Sequence, residues 1–283
     1  MDTTTALTLL RQLPLVCAMP EETRDTLATL FLEISEAEPL TVGDKLIQEG
    51  ALGGATGYVL LEGAVEASRE CAPAVRLRAP ALFGEMQQFN PEALRTATVS
   101  VTEGGSALKF LWQDLYAGAR EVLDKVNQAR FLEAVEQMVW ERFHAGTVAG
   151  LALFRQLPDR LRLRSSLHLL WIAQPRRFED GETLFAEGEA CGDVGFQLNS
   201  GTVTLLAGGK VRATLQAPEL IGVMPDFDPE RTWTATARAE GSICACRFSW
   251  QEYMARLQES LAPDEYAAFH DAAREAQREH FAW

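Results

Sequence analysis

Residues 43–65 read GDKLIQEGALGGATGYVLLEGAV, and residues 181–203 read GETLFAEGEACGDVGFQLNSGTV. The two segments align without a gap when the chain is shifted by 138 residues, from 43 to 181. The same shift places residues 79–98, APALFGEMQQFNPEALRTAT, on residues 217–236, APELIGVMPDFDPERTWTAT. A shared offset in separate segments predicts an internal repeat, in which the chain folds as two similar domains.

Each copy has the pattern of a β domain. Apolar or alternating runs, such as Gly57–Leu61, Ala64–Ser68 and Thr96–Val101, are separated by glycine, proline and asparagine. The turns recur about every 8–12 residues, which favours a sandwich or barrel over alternating strands and helices. Glycines at matched positions are predicted turn residues with positive φ, which costs glycine little. These are Gly43, Gly50, Gly63 and Gly84 in the first copy, and Gly181, Gly188, Gly201 and Gly222 in the second.

Helical segments are predicted on either side of each β unit. Residues 5–32 have helical spacing interrupted by Pro14 and Pro20, and residues 113–149 read as one long amphipathic helix. The segment from residue 251 onward is helical with a break, after which Pro263 takes a first helical position. The predicted domains are residues 1–149 and 150–283.

Composition limits the classes of partner. The chain has 283 residues, 47% of them hydrophobic, and a formal net charge of -14. Duplex DNA and anionic membrane surfaces would repel such a chain, whereas a small anion needs only a local positive site. The start, MDTTTALTLLRQLP, lacks the pattern of a signal peptide, and no apolar run reaches the roughly 18 residues of a membrane span. We therefore expect a cytoplasmic protein without a nucleic-acid or membrane partner.

Cysteine and histidine spacing gives no sign of a metal site. The four histidines are scattered, and the five cysteines lack ligand spacing, so buried free thiols are expected. No nucleophile–base pair and no phosphate-binding P-loop is found, so an enzyme is not expected. The cysteines are Cys17, Cys71, Cys191, Cys244 and Cys246.

Three markers, in the same order in both copies, resemble those of the cyclic-nucleotide-binding domain family. The openings are GDKLIQEG and GETLFAEG, and the following strands read GYVLLEGAV and GFQLNSGTV. The third marker is a phosphate-binding cassette, FGE followed by RTA, in the first copy. The resemblance implies a mainly β fold with flanking helices, made of two double-stranded β-helix (jelly-roll) domains in tandem. It also implies cAMP, cGMP or a cyclic dinucleotide as the ligand, without a cofactor.

The cassette of the first copy has the chemistry that a cyclic nucleotide requires. A guanidinium is planar, always charged and matched to a phosphate, whereas a carboxylate suits a ribose hydroxyl. The resemblance therefore implies that Gly84 and Glu85 lie on the ribose side, with Met86 following them, and that Arg95 and Thr96 lie on the phosphate side. A short helical turn after Gly84 would add backbone N–H groups.

The second copy keeps the residues that shape the loop and lacks the two side chains that would hold a ligand. Glu85 corresponds to Val223, and Arg95 corresponds to Trp233. A buried phosphate would lack its counter-charge there, unless Arg231, two positions before the tryptophan, took that place. We expect a packing or docking role for this copy, with Trp233 filling the vacated space.

Two interpretations of function remain open. In the first, the protein is a non-catalytic sensor, in which a cyclic nucleotide in the first domain acts through the connecting helix on a protein partner. In the second, it is a scaffold or assembly protein that uses the tandem fold without binding a nucleotide. The acidic tail after Trp250 shows no basic recognition helix. The long helix would also suit a homodimer.

Overall fold

A computed structural model describes residues 2–52, 54–72, 74–86, 94–144, 151–222 and 232–280. The chain divides into two compact units. Unit 1 comprises Met1–Arg69 and Pro73–Arg142, and unit 2 comprises Glu70–Ala72 and Phe143–Trp283. The predicted boundary between residues 149 and 150 lies outside the described residues and stays a prediction.

The first repeat contains helices before and after a β unit, as the sequence predicts. Its elements are α1 (Thr3–Leu10), α2 (Pro14–Cys17), α3 (Glu21–Ile34), β1 (Glu36–Leu40), β2 (Lys45–Ile47), β3 (Thr56–Ser68), β4 (Val75–Arg78), β5 (Ala81–Phe83), β6 (Thr98–Leu111), α4 (Trp112–Val122) and α5 (Lys125–His144).

Counterparts of every element from α2 to α5 follow in the same order in the second repeat. They are α6 (Ala152–Arg155), α7 (Asp159–Ile172), β7 (Gln174–Phe178), β8 (Thr183–Phe185), β9 (Val194–Ala207), β10 (Lys210–Gln216), β11 (Glu219–Ile221), β12 (Thr236–Ser249), α8 (Trp250–Ser260) and α9 (Pro263–His280). α9 begins at Pro263, as predicted.

Each repeat builds one six-stranded antiparallel sheet. The strand order is β1-β6-β3-β4 in the first repeat, with β2 on β6 and β5 on β3. The second repeat has the corresponding order β7-β12-β9-β10, with β8 on β12 and β11 on β9. The fold class is therefore the predicted one, mainly β with flanking helices and two jelly-roll units. All eight matched glycines have positive φ, which confirms their prediction as turn residues.

The long strands bend to close the roll. The predicted runs Gly57–Leu61 and Ala64–Ser68 form a single strand, β3, which pairs with β6 through register shifts between Leu60 and Val65. Gly63 sits at this bulge with φ +95°, where a Cβ atom would lie 2.5 Å from the carbonyl oxygen of Glu103. Only glycine fits that position, so the bend is encoded in the sequence.

Alternate residues of β3 face two different cores. Val59 and Leu61 pack with the helices of the first unit, whereas Tyr58 and Leu60 belong to a separate cluster formed by strand residues. That second cluster lies inside the roll. Because successive side chains of a strand point to opposite faces, both sides of the sheet are buried and the inner side carries the candidate site.

The predicted long helix over residues 113–149 is wrong in one respect, because two helices, α4 and α5, replace it. Asp124 lies between them and accepts hydrogen bonds from the backbone N–H groups of Val126 and Asn127, both at 2.9 Å. A carboxylate in this position satisfies N–H donors that a new helix leaves unpaired, so α5 starts here instead of continuing α4.

The prediction of free thiols is wrong for one pair of cysteines. Cys71 and Cys244 form a disulfide, with their Cα atoms 5.3 Å apart. That separation lies within the range that a disulfide can bridge. Both residues belong to the second unit, because the segment Glu70–Ala72 groups with it. Within the described residues, Cys17, Cys191 and Cys246 are not part of a disulfide.

Candidate functional site

Gly84 brings the cassette loop against strand β3. It follows β5, in which Phe83 pairs with Tyr58. Gly84 has φ +87°, and a Cβ atom there would lie 2.8 Å from the carbonyl oxygen of Thr56. Its own carbonyl oxygen accepts a hydrogen bond from Nε1 of Trp112, at 3.1 Å. The absence of a side chain therefore allows close approach, and the start of α4 is fastened to the loop.

The backbone of Arg95 is held by a second turn. Its carbonyl oxygen accepts from the N–H of Gly50 at 2.8 Å, and its own N–H donates to the carbonyl oxygen of Ala51 at 2.9 Å. An isolated antiparallel bridge joins the neighbouring residues Leu52 and Leu94. These bonds fix the point from which the arginine side chain extends.

The guanidinium and the carboxylate of the cassette are both buried. Arg95 is 8% exposed and Glu85 is 4% exposed. Nη2 of Arg95 donates to the carbonyl oxygen of Thr56 at 3.2 Å, so the arginine reaches the carbonyl that also lies against Gly84. The structure thus brings together the cassette residues that the sequence separates by a loop.

Burial and two neighbouring groups act on the pKa of Arg95. Burial lowers the pKa of Arg95 from its ordinary value, while Tyr58 and Glu85 act in the opposite direction. Arginine remains charged at neutral pH despite such a shift. The site therefore presents a positive charge, with a carboxylate nearby, in surroundings shielded from water, where charge-assisted hydrogen bonds are strong.

The remaining predicted site residues lie at the two ends of the loop. Met86 directly follows Glu85, in the first residues of a helical turn, and Thr96 directly follows Arg95. Both are half-buried. Gln87 and Gln88, which follow Met86, lie outside the described residues.

In the second repeat an aromatic pair occupies the place of the arginine. Trp233 is buried, and its ring stacks on Phe185 with centroids 3.7 Å apart and an angle of 16° between the planes. A Cβ atom on Gly222 would lie 3.5 Å from the tryptophan ring. Trp233 therefore fills the space beside the glycine, as expected, while Val223 and Arg231 lie outside the described residues.

The backbone around Trp233 nevertheless matches that around Arg95. The carbonyl oxygen of Trp233 accepts from the N–H of Gly188, and its N–H donates to the carbonyl oxygen of Glu189, both at 2.8 Å. The two repeats therefore share the same backbone hydrogen bonds at this position and differ in the side chain that extends from it.

Sequence reasoning missed two polar residues beside the site. Tyr58 belongs to the cluster inside the first roll, and Glu38 acts on the pKa of its phenol. Glu38 Oε2 is buried without a hydrogen-bond partner among the described residues. The signal lay in the repeat, because the corresponding residues in the second copy are Phe196 and Arg176. A comparison of inward-facing positions across the two copies would have found both.

Part of the chain matches a known protein family by sequence. The model of the cyclic nucleotide-binding domain family matches residues 175–260. No curated protein sequence matches the chain.

Within the described ranges, no helix has the length and apolar character needed to cross a bilayer, and no three potential metal-ligating side chains gather together.

Several solved structures resemble the chain at low identity. The regulatory domain of Toxoplasma gondii PKA, crystallised with cAMP, is 16% identical, with 97% of this chain and 98% of that chain covered and a TM-score of 0.37. The regulatory subunit of a cAMP-independent protein kinase A from Trypanosoma brucei is 14% identical, with 95% and 92% covered and a TM-score of 0.37.

A bacterial structure resembles about half of the chain. The N-terminal domain of a transcriptional regulator from Streptomyces coelicolor is 26% identical, with 48% of this chain and 93% of that chain covered and a TM-score of 0.38. The match that carries weight is the one to the family model. Residues 175–260 match this family model, and the first repeat has the same strand order as the second.

Proposed function

We propose that the protein is a non-catalytic sensor whose first repeat binds a cyclic nucleotide. One observation carries the proposal. Arg95 and Glu85, the charged pair of the cassette, are both buried, and Arg95 donates to the carbonyl of β3 that lies against Gly84. Burying two charged side chains costs free energy, and a binding site is a reason to retain them.

The geometry suits a cyclic phosphodiester with its ribose. The Arg95 guanidinium would bind the two free phosphate oxygens, and Thr96 would add a hydroxyl or backbone donor. Glu85 would accept the 2′-hydroxyl of the ribose. Gly84 would let the ligand approach the backbone closely, because no side chain stands in its place. The ligands that fit this chemistry are cAMP, cGMP and, with one of its two phosphodiesters, a cyclic dinucleotide.

A path from the site to a helix supports a relay to a protein partner. Trp112, the first residue of α4, donates its indole N–H to the carbonyl oxygen of Gly84. In the second repeat the corresponding Nε1 of Trp250 has no hydrogen-bond partner within the described part of the chain. A ligand that moves the Gly84 carbonyl would therefore act directly on α4, and through α5 on a partner.

The sensor acts, in this proposal, in the cytoplasm and without nucleic acid. The net charge of -14 disfavours binding to a polyanion. A homodimer formed through α5 is part of the same proposal, because this helix carries exposed apolar residues, Val126 at 64% and Leu132 at 49%.

Calorimetric titration with cAMP, cGMP and a cyclic dinucleotide tests ligand binding. Arg95→Ala should weaken binding at least about tenfold, because a charge-assisted contact to the phosphate is lost. The matched control is Arg78→Ala, which removes an exposed arginine that pairs with Glu103 at 3.1 Å on the surface of the same unit. Equal affinities of the wild type and Arg95→Ala would refute the proposed site.

A second function is favoured by a separate observation. The family model matches the second repeat, in which Trp233 takes the place of the arginine. A domain that keeps the family sequence while filling its site with an aromatic ring suits a scaffold or assembly protein. Absence of heat with all three nucleotides, in a folded protein, would favour this alternative.

A further inference from the structure

The inside of the first roll carries a set of polar side chains that the second roll lacks as a set. The 138-residue shift exchanges every member of this set for a residue of different character. The first repeat has Glu38, Tyr58, Glu85 and Arg95, where the second has Arg176, Phe196, Val223 and Trp233. Tyr58 is the member that contacts both the strand before Glu85 and the strand before the turn that holds Arg95.

Tyr58 links the two loops from which Glu85 and Arg95 extend. Its side chain is buried, and its ring stacks on Phe83 with centroids 5.2 Å apart and an angle of 11° between the planes. Phe83 directly precedes Gly84 and Glu85. The hydroxyl of Tyr58 donates to the carbonyl oxygen of Leu46 at 3.3 Å, in strand β2.

Strand β2 leads into the turn that holds the arginine. After β2 the chain forms the turn in which Gly50 and Ala51 bond the backbone of Arg95. The guanidinium of Arg95 then reaches back to Thr56, two residues before Tyr58 on the same face of β3. One phenol is thus connected to the carboxylate side of the cassette through its ring and to the arginine side through its hydroxyl.

We propose that Tyr58 is a positioning residue of this site, whose hydroxyl holds Arg95 in place for a phosphate. The ligand-related part of the inference rests on the proposed function, whereas the effect on Arg95 exists in the free protein. Burial raises the pKa of the phenol from its ordinary value, and Glu38 raises it further, while Arg95 opposes the rise. The hydroxyl therefore stays protonated at neutral pH and available as a donor.

The second repeat has the same strand with a phenylalanine in place of the tyrosine. Phe196, at the position of Tyr58, packs against Phe178 and Phe185 with ring centroids 6.4 Å and 6.1 Å apart. Trp233 stacks on the same Phe185. A phenylalanine at this position is therefore compatible with the fold, so Tyr58→Phe should fold and isolate the loss of the hydroxyl.

The test measures Arg95 directly in the full chain. In protein labelled with ¹⁵N-arginine, the backbone amide signal of Arg95 is identified by its loss in Arg95→Lys, and its hydrogen exchange is followed without nucleotide. This amide donates to Ala51 in the turn that follows β2, so Tyr58→Phe should speed its exchange by up to about fivefold, the effect of losing one ordinary hydrogen bond. Backbone amides of β3 and β5 should exchange as in the wild type, since a merely structural role would change them too. Tyr266→Phe, which removes a phenol from the second unit, is the matched control.

Titration with cAMP and cGMP adds the ligand readout. Tyr58→Phe should weaken the binding found for the wild type about fivefold, while Tyr266→Phe leaves it unchanged. Unchanged exchange of the Arg95 backbone amide in Tyr58→Phe overturns the positioning role, whether or not a nucleotide binds. Faster exchange with unchanged affinity also overturns it. A wild type that binds no nucleotide refutes the proposed function instead, and the exchange experiment still decides whether Tyr58 holds Arg95.

Discussion

Replacement of Gly84 by alanine tests whether the cassette loop approaches β3 as closely as the structure shows. Two costs are expected. A φ of +87° is a left-handed conformation that costs a residue with a Cβ atom about 1–2 kcal/mol. The new Cβ atom would also lie 2.8 Å from the carbonyl oxygen of Thr56, and forcing an extra group into packed surroundings costs about 1–3 kcal/mol. The free energy of unfolding of the first unit should therefore fall by about 2–5 kcal/mol.

Gly50→Ala supplies the matched control. Gly50 has φ +76°, and a Cβ atom there would meet nothing within 4 Å. Only the conformational cost of about 1–2 kcal/mol applies. Both variants are measured by urea denaturation, with peptide-resolved hydrogen exchange to assign the transition to the first unit. If Gly84→Ala is no more destabilising than Gly50→Ala, the loop does not lie against Thr56 and the geometry of the site is wrong.

Three further perturbations test other parts of the structure. Trp233→Ala removes a buried ring stacked on Phe185 and should destabilise the second unit by about 3–5 kcal/mol in urea denaturation; a loss below about 1 kcal/mol would mean that the ring does not fill this core. Non-reducing peptide mapping should find Cys71 joined to Cys244, with the other three cysteines alkylated, and alkylation of all five would contradict the disulfide. Burial, then Arg256 and Arg164, lowers the pKa of His168 from 6.5 to about 4. Between these values the unfolded chain binds the extra proton, so stability should fall as the pH drops from about 6.5 to 4. His168→Gln should lose less stability than the wild type over that window, and identical pH profiles would contradict the burial of the ring.

The repeat made most of the fold predictable from sequence. A single offset relates each element from α2 to α5 to its counterpart in the second copy, for example β1 to β7 at residues 36 and 174, and α4 to α8 at residues 112 and 250. Glycine positions were equally readable, because a positive φ leaves few other choices.

The break in the connecting helix was missed because it depends on a single carboxylate. The hydrophobic periodicity around Asp124 is compatible with either a helix interior or a helix N-terminus. Its bonds to two N–H groups show that it lies at an N-terminus. The repeat also indicates the break, because Pro263 begins α9 and Lys125, 138 residues earlier, begins α5.

The disulfide and the surroundings of Arg95 could not be predicted from the sequence. Cys71 and Cys244 are 173 residues apart in sequence, so their proximity depends on tertiary structure. Tyr58 belongs to an alternating strand, in which a tyrosine reads as an ordinary inward-facing aromatic residue. Alternation alone does not predict that its hydroxyl bonds to Leu46 of β2 or that its ring stacks on Phe83 of β5.

The stoichiometry of cyclic-nucleotide binding tests the central claim most directly. The first repeat keeps Glu85 and Arg95, whereas Trp233 stands in the place of the arginine in the second. Equilibrium titration of the full chain with cAMP and cGMP should therefore give one site per chain, which Arg95→Ala removes and Trp233→Ala leaves in place. Two sites per chain, or one site that survives Arg95→Ala, would contradict the account.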